Sequence, residues 1–248
     1  MKSYEELVTE GLDAPFQGWD FSWLAGRSSQ VEPSWSYDSR ARQLIVDSKS
    51  LLDLCTGGGE MLESFAPLPE HSVATESWEP NIPLARNRLA PLGVQVRVPD
   101  GDELPAGDGE FDLVINHHGG ASEAEIARVL RPGGTYLVQG VGVHNLADLN
   151  QALGAPNGNY AEKATLDATC GALVAAGLEI VDGQEETLEH AHYDIGAFVY
   201  FLKAVSWQVP DFDVDRYDAK LRELDAAIRA DGRVVFHDHR YLVEARRP

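Results

Sequence analysis

Ten consecutive residues, Leu51-Leu52-Asp53-Leu54-Cys55-Thr56-Gly57-Gly58-Gly59-Glu60, join an apolar run carrying one acid to three glycines. The run reads as a strand that leaves through a glycine turn into a helix, a place where a ligand can touch the backbone itself. A pyrophosphate-binding turn needs the spacing GxGxxG. Counting from Gly57 puts Gly59 correctly, but Leu62 stands where the third glycine or an alanine belongs. Asp53 would repel a pyrophosphate and would favour a ligand with a cationic amino group. The turn therefore argues against a dinucleotide and for a cationic ligand without phosphate.

S-adenosylmethionine is a ligand of that description, and two further acids stand where its nucleoside would need them. Glu76 ends a second apolar run 23 residues after Asp53, where a carboxylate accepts hydrogen bonds from both ribose hydroxyls. A third run ends at Val98 and is followed by Pro99-Asp100-Gly101, where an acid accepts from an adenine amino group. His117 and His118 follow a fourth run, at the carboxyl edge where open α/β sheets place their ligands. Either is a candidate for substrate contact or proton removal, beside the plain alternative of a solvated loop histidine. His190 and His192, like His237 and His239, alternate without a recognised ligand motif, so no metal is expected.

These residues need a scaffold, and the chain supplies the rhythm of a parallel sheet covered on both faces. Strands are predicted over Ser50–Leu54, Ser72–Glu76, Val94–Val98, Phe111–Asn116 and Thr135–Gln139. Helices are predicted between them at about 59–66, 80–91 and 122–130, the last stopped by Arg131-Pro132-Gly133-Gly134, with another at about 145–153. A helix over Tyr160–Ala176 follows, with Leu166, Cys170, Leu173 and Val174 on one face and Gly177 as its C′ residue. Leu178–Asp182 reads as a sixth strand. Arg233–Ala245 reads as a seventh, antiparallel because no crossover helix follows it. Tyr4–Gly11 is a candidate helix at the start of an aromatic-rich segment holding Trp19, Phe21, Trp23, Trp35 and Tyr37.

Taken in order, LLDLCTGGGE, VATES, VPDGDELP, GEFDLVINHH and VLRPGGTYLV resemble the class I S-adenosylmethionine-dependent methyltransferases over about residues 50–140. The resemblance implies a seven-stranded sheet in the order 3-2-1-4-5-7-6 and S-adenosylmethionine as cofactor. It implies roles by position as well. Asp53, Cys55, Thr56, Gly57 and Gly59 would line the methionine part, and Glu76 the ribose. Ser77 and Trp78 would flank the adenine, Asp100 and Gly101 would meet its edge, and Asn116 would close the site. Two positions depart from the family pattern: Glu76 stands where Asp is frequent, and Cys55 where Gly is common.

The expected architecture is one α/β domain over residues 1–248, with a cap at 1–40 and a helical insertion at 187–232. Tyr193–Trp207 in that insertion is apolar nearly all round, so it must bury every face, and a lid over the site would supply a second packing surface. His192, Tyr193 and Trp207 become substrate-contact candidates on that reasoning. Trp35 and Tyr37 join them because an aromatic beside a sulfonium gains cation–π attraction. With 20 Lys and Arg against 40 Asp and Glu, the net charge of −20 disfavours a nucleic acid partner. Two cysteines without a CxxC, an acidic opening and no long apolar stretch suit a cytoplasmic protein away from membranes. The expected reaction moves a methyl group to an oxygen, nitrogen or carbon nucleophile of a small molecule. RNA or protein methylation and a non-catalytic cofactor-binding scaffold are the alternatives. A nicotinamide dehydrogenase is disfavoured by Leu62 and Asp53. Oligomeric state is not encoded in any of these features.

Overall fold

The computed structural model describes residues 2–158, 160 and 164–248. In chain order they form α1 (Tyr4–Asp13), β1 (Ser28–Gln30), α2 (Tyr37–Asp47), β2 (Ser50–Leu54), α3 (Glu60–Ser64), β3 (His71–Thr75), α4 (Asn81–Leu89), β4 (Gln95–Arg97) and β5 (Phe111–His117). Then come α5 (Glu123–Val129), β6 (Leu130–Val141), α6 (Ala147–Leu153), α7 (Leu166–Ala175), β7 (Glu179–His192), α8 (Ile195–Ala204), α9 (Val214–Asp231) and β8 (Val234–Arg246). The strands lie in the order β1-β7-β8-β6-β5-β2-β3-β4. Counting β2 to β8 along the chain, this is the expected 3-2-1-4-5-7-6. β2 pairs in parallel with β3 and β5, β3 with β4, and β5 with β6. Gly133 N–H donates to Arg247 O and Gly142 N–H to His239 O, so β8 runs antiparallel to β6.

Four expectations need correction. The sheet has eight strands, because β1 adds an antiparallel edge with Ser28 opposite His192 and Gln30 opposite His190; Ser-Ser-Gln has no apolar alternation to announce a strand. The sixth expected strand continues from Asp182 to His192, a stretch whose acids Asp182, Glu185, Glu186 and Glu189 and few apolar residues leave little hydrophobic period to read. Val174 is exposed, so only Leu166, Cys170 and Leu173 turn inward from α7. That helix begins at Leu166 after the cap Thr165, whose side chain accepts from Ala168 N–H; residues 161–163 of the expected Tyr160–Ala176 helix lie outside the described residues. Among the described residues, no helix is long and apolar enough to cross a membrane.

By contacts the chain divides into two compact units. One comprises Met1–Pro33, Gly142–Glu162 and Glu186–Arg240; the other comprises Ser34–Val141, Lys163–Glu185 and Tyr241–Pro248. In the first, α8 is buried along every residue except Lys203, among Tyr4, Val8, Leu149, Leu221 and Phe236. Its closest neighbour is α1, where a Cβ on Gly11 would fall 2.3 Å from the Gly196 carbonyl oxygen. An apolar helix thus finds all its burial inside its own unit. In the second unit one core forms around Leu52, Phe111, Val114 and Leu130, and another around Leu51, Leu62, Leu89 and Ile115. Alternate residues of β2 feed the two cores, which is what a sheet buried on both faces requires.

Candidate active site

All five residues of β2 are buried. Because β3 and β5 flank it on opposite sides, a crevice opens beyond its carboxyl end, the switch point of the sheet. The chain leaves through three left-handed residues, Cys55 at φ 56°, Gly57 at φ 63° and Gly59 at φ 84°. Thr75 holds the turn on β3, its hydroxyl accepting from Cys55 N–H at 3.1 Å and its carbonyl from Thr56 N–H at 2.8 Å. A Cβ on Gly57 would meet nothing within 4 Å, so this backbone faces open space. Gly59 differs, since its Cβ would stand 2.9 Å from Leu89 Cγ. Its missing side chain lets α3 pack on α4.

Asp53 and Glu76 are both buried. Burial pushes the Asp53 carboxyl up to about 7, the Thr56 side chain opposes this, and the charge of Glu76 adds to the rise. Among the described residues neither acid has an ion-pair partner. Two buried acids in mutual repulsion are a poor structural element by themselves and a good receptor for a cation or for hydroxyl donors. Glu76 Oε1 already accepts from Trp78 N–H at 2.7 Å, which fixes the carboxylate. Ser77 and Trp78, which follow it, are exposed, as are Asp100 and Gly101 beyond β4, Gly101 at φ 61° in the turn that bridges Asp100 to Glu103. Acid for an ammonium, acid for ribose hydroxyls and open backbone at the turn fit S-adenosylmethionine.

Across the crevice, β5 ends in Asn116, which is buried and fully engaged. Its Oδ1 accepts from Gly119 N–H at 2.9 Å, and its Nδ2 donates to Gly119 O and to the Tyr136 hydroxyl, each at 3.3 Å. This bracket brings Gly119 so near the first turn that a Cβ there would lie 2.6 Å from Cys55 Cβ. His117 and His118 stack with centroids 3.9 Å apart, and His118 has φ 65°. The Tyr37 ring lies 4.9 Å from His117. Among the described residues no hydrogen bond of ordinary geometry reaches its buried hydroxyl, and burial together with the charge of Asp53 holds it far above the ordinary phenol range. Trp35 is buried beside them and donates to Gln139 Oε1 at 2.7 Å. Asp53, Tyr37, His117, His118 and Trp35 therefore belong to one constellation in one unit.

Two contributors to that constellation were not anticipated. Gln139 touches both histidines and Trp35; its signal was a polar residue closing the apolar run Tyr136-Leu137-Val138. The helix α2 carries Tyr37, and it was legible in the Ser36 cap, which accepts from Ser39 N–H, and in the buried stripe Tyr37, Ala41 and Ile45. Arg40 pins it by a two-pronged bond to Glu244, both distances 2.6 Å.

The other candidates lie in the first unit with partners of their own. His192 is wholly buried among Phe198, Phe201 and Phe236, stacked on His190, and among the described residues neither ring nitrogen has a hydrogen-bond partner. Tyr193 is partly exposed and its hydroxyl lies 2.7 Å from that of Ser29. Trp207, also partly exposed, stacks on Trp19 at 5.7 Å. Among the described residues no three His, Cys, Asp or Glu side chains form a metal-binding group.

Residues 51–134 match the family described as a methyltransferase domain. The chain is 28% identical over 177 residues to the ubiquinone biosynthesis O-methyltransferase of Sinorhizobium medicae (strain WSM419), covering 64% of this chain and 71% of that protein. It is 35% identical over 74 residues to the protein-L-isoaspartate O-methyltransferase of Bradyrhizobium sp. (strain ORS 278), covering 29% of this chain and 34% of that protein. Its fold is similar to the crystal structure of a candidate methyltransferase from Bacillus halodurans C-125, with a TM-score of 0.61 at 18% identity over 85% of this chain and 98% of that one.

Proposed function

We propose that this chain, which belongs to the class I S-adenosylmethionine-dependent methyltransferases, methylates a small molecule that meets the wall formed by Trp35, Tyr37, His117 and His118. The observation that carries the reading is the buried, unpaired acid pair Asp53 and Glu76 beside an open glycine turn. Ionised Asp53 would balance the cofactor's ammonium, and Glu76 would accept from its ribose hydroxyls. Cys55, Thr56, Gly57 and Gly59 would line the methionine part of the site. Ser77, Trp78, Asp100 and Gly101 would surround the adenine. Asn116 holds the loop that bounds the site from β5.

When bound, the cofactor would supply a methyl carbon activated by its sulfonium, to which the acceptor's nucleophilic atom would bond in line while the C–S pair stays on sulfur as a neutral thioether. What the chain must add is alignment and exclusion of water, the largest contributions available to such a displacement. Trp35 and Tyr37 are buried apolar surfaces suited to that task. A small acceptor is supported by the likeness to a ubiquinone-pathway O-methyltransferase and by the charge of −20, which opposes a nucleic acid. A protein acceptor is the second reading, favoured by the 74-residue likeness to the isoaspartate enzyme.

The test is calorimetry with S-adenosylmethionine, S-adenosylhomocysteine and NAD, followed by methyl-labelled cofactor added to a whole-cell extract. The first two ligands should bind and NAD should not, and label should appear in the small-molecule fraction. Label in protein or RNA would replace the acceptor class; binding of NAD alone would remove the reading.

A further inference from the structure

Trp35 Nε1–H donates to Gln139 Oε1 at 2.7 Å, and both residues are buried. An indole nitrogen only donates, so the atom facing it must be the amide oxygen, and the amide nitrogen is turned away. There Gln139 Nε2 lies 3.0 Å from His117 Nε2 and 3.2 Å from His118 Nε2. An amide nitrogen also only donates. Its two hydrogens are therefore matched to two imidazole lone pairs, and a neutral imidazole that accepts at Nε2 carries its proton on Nδ1. The backbone adds a second hold, since His118 N–H donates to Gln139 O at 2.8 Å while the residue sits at φ 65°.

We propose that Gln139 is a positioning residue that locks His117 and His118 as a stacked pair of neutral Nδ1–H imidazoles. With Nε2 engaged and Nδ1 protonated, neither ring has a lone pair to take a proton while the amide bond lasts. The pair then orients the acceptor and does not deprotonate it, so an oxygen acceptor is of a class already ionised at neutral pH, such as an acidic phenol, the enol of a 1,3-dicarbonyl or a carboxylic acid. That last step rests on the methyltransferase reading of the site; the tautomers do not. Protonation of either ring at Nε2 would set N–H against N–H at Gln139. Among the titratable groups near the pair, Tyr37, from α2, packs its ring against His117, and Asp53, from β2, acts on Tyr37.

The experiment is long-range proton–nitrogen NMR of imidazole-labelled protein, without cofactor or acceptor, assigned with His117→Gln and His118→Gln. Both rings should show a bare Nε2 and a protonated Nδ1. Gln139→Glu still accepts from Trp35 but presents acceptor oxygens to the rings, so the tautomers should invert and the midpoints rise by roughly one unit or more. A protonated Nε2 in the wild type overturns the proposal whether or not the variant folds, as do unchanged tautomers in a folded Gln139→Glu. If the tautomers stand and methyl transfer keeps the same pH profile in wild type and Gln139→Glu, the positioning role is overturned. Absence of cofactor binding by the wild type would instead refute the methyltransferase reading and leave the tautomers intact.

Discussion

Asp53 and Glu76 show how one residue type takes two tasks from its surroundings. Glu76 is held by Trp78 N–H and is placed to accept from ligand hydroxyls. Each charged hydrogen bond is worth about 1.5–3 kcal/mol, so Glu76→Ala should weaken S-adenosylmethionine by roughly that amount per bond. Unaltered affinity by calorimetry on folded protein would exclude Glu76 from the site. Asp53 makes a prediction about pH. Its folded carboxyl titrates at about 7 against an ordinary 3.8, so the folded state holds its proton more tightly than the unfolded chain does. Stability should fall as pH rises through that window and level off above it. Cofactor affinity should move the other way, because only ionised Asp53 attracts a cation. Denaturant melts of wild type and Asp53→Asn at about pH 5 and about pH 8 check this; equal pH slopes in the two proteins would contradict it.

At the scale of elements, close helix contacts are set by backbone clearance. Gly11 on α1 meets the Gly196 backbone on α8, and nothing there can yield like a flexible side chain. Gly11→Ala should therefore destabilise by about 1–3 kcal/mol or more, the usual cost of overpacking. Gly171→Ala in α7 is the control, since its added Cβ would meet nothing within 4 Å; it should be neutral or stabilise by about 0.5–1 kcal/mol. Thermal melts that fail to separate the two variants would contradict the close contact. The strands β2, β3 and β5 were legible because each is a short apolar run closed by turn residues. β1 and the outer half of β7 were not, because a polar edge strand is held by ladder bonds that leave no hydrophobic period.

For the whole molecule, the charge of −20 is a statement about partners and not about fold. A phosphate backbone is bound by releasing counterions to Lys and Arg, and this chain approaches one with net repulsion. It should pass through a nucleic-acid column at about 150 mM salt, where screening leaves surface charge effective over about 8 Å. Retention there would return RNA to the list of acceptors.

What the amino-acid sequence determined by itself was where the central strands end and which residues stand at those ends, while the order of seven of the strands came through the resemblance those motifs carry. Asp53, the glycine turn, Glu76 and His117–His118 are each tied to a strand end, and strand ends follow from local apolar runs and local turns. The tertiary structure alone decided the rest. It buried Asp53 beside Glu76 and so moved the carboxyl to about 7, brought Tyr37 against His117 from 80 positions away in the chain, and used Trp35 to turn the Gln139 amide toward both histidines. Desolvation, amide orientation and imidazole tautomer belong to no residue taken singly. They arise when side chains distant in sequence exclude water together, and only the folded chain brings them there.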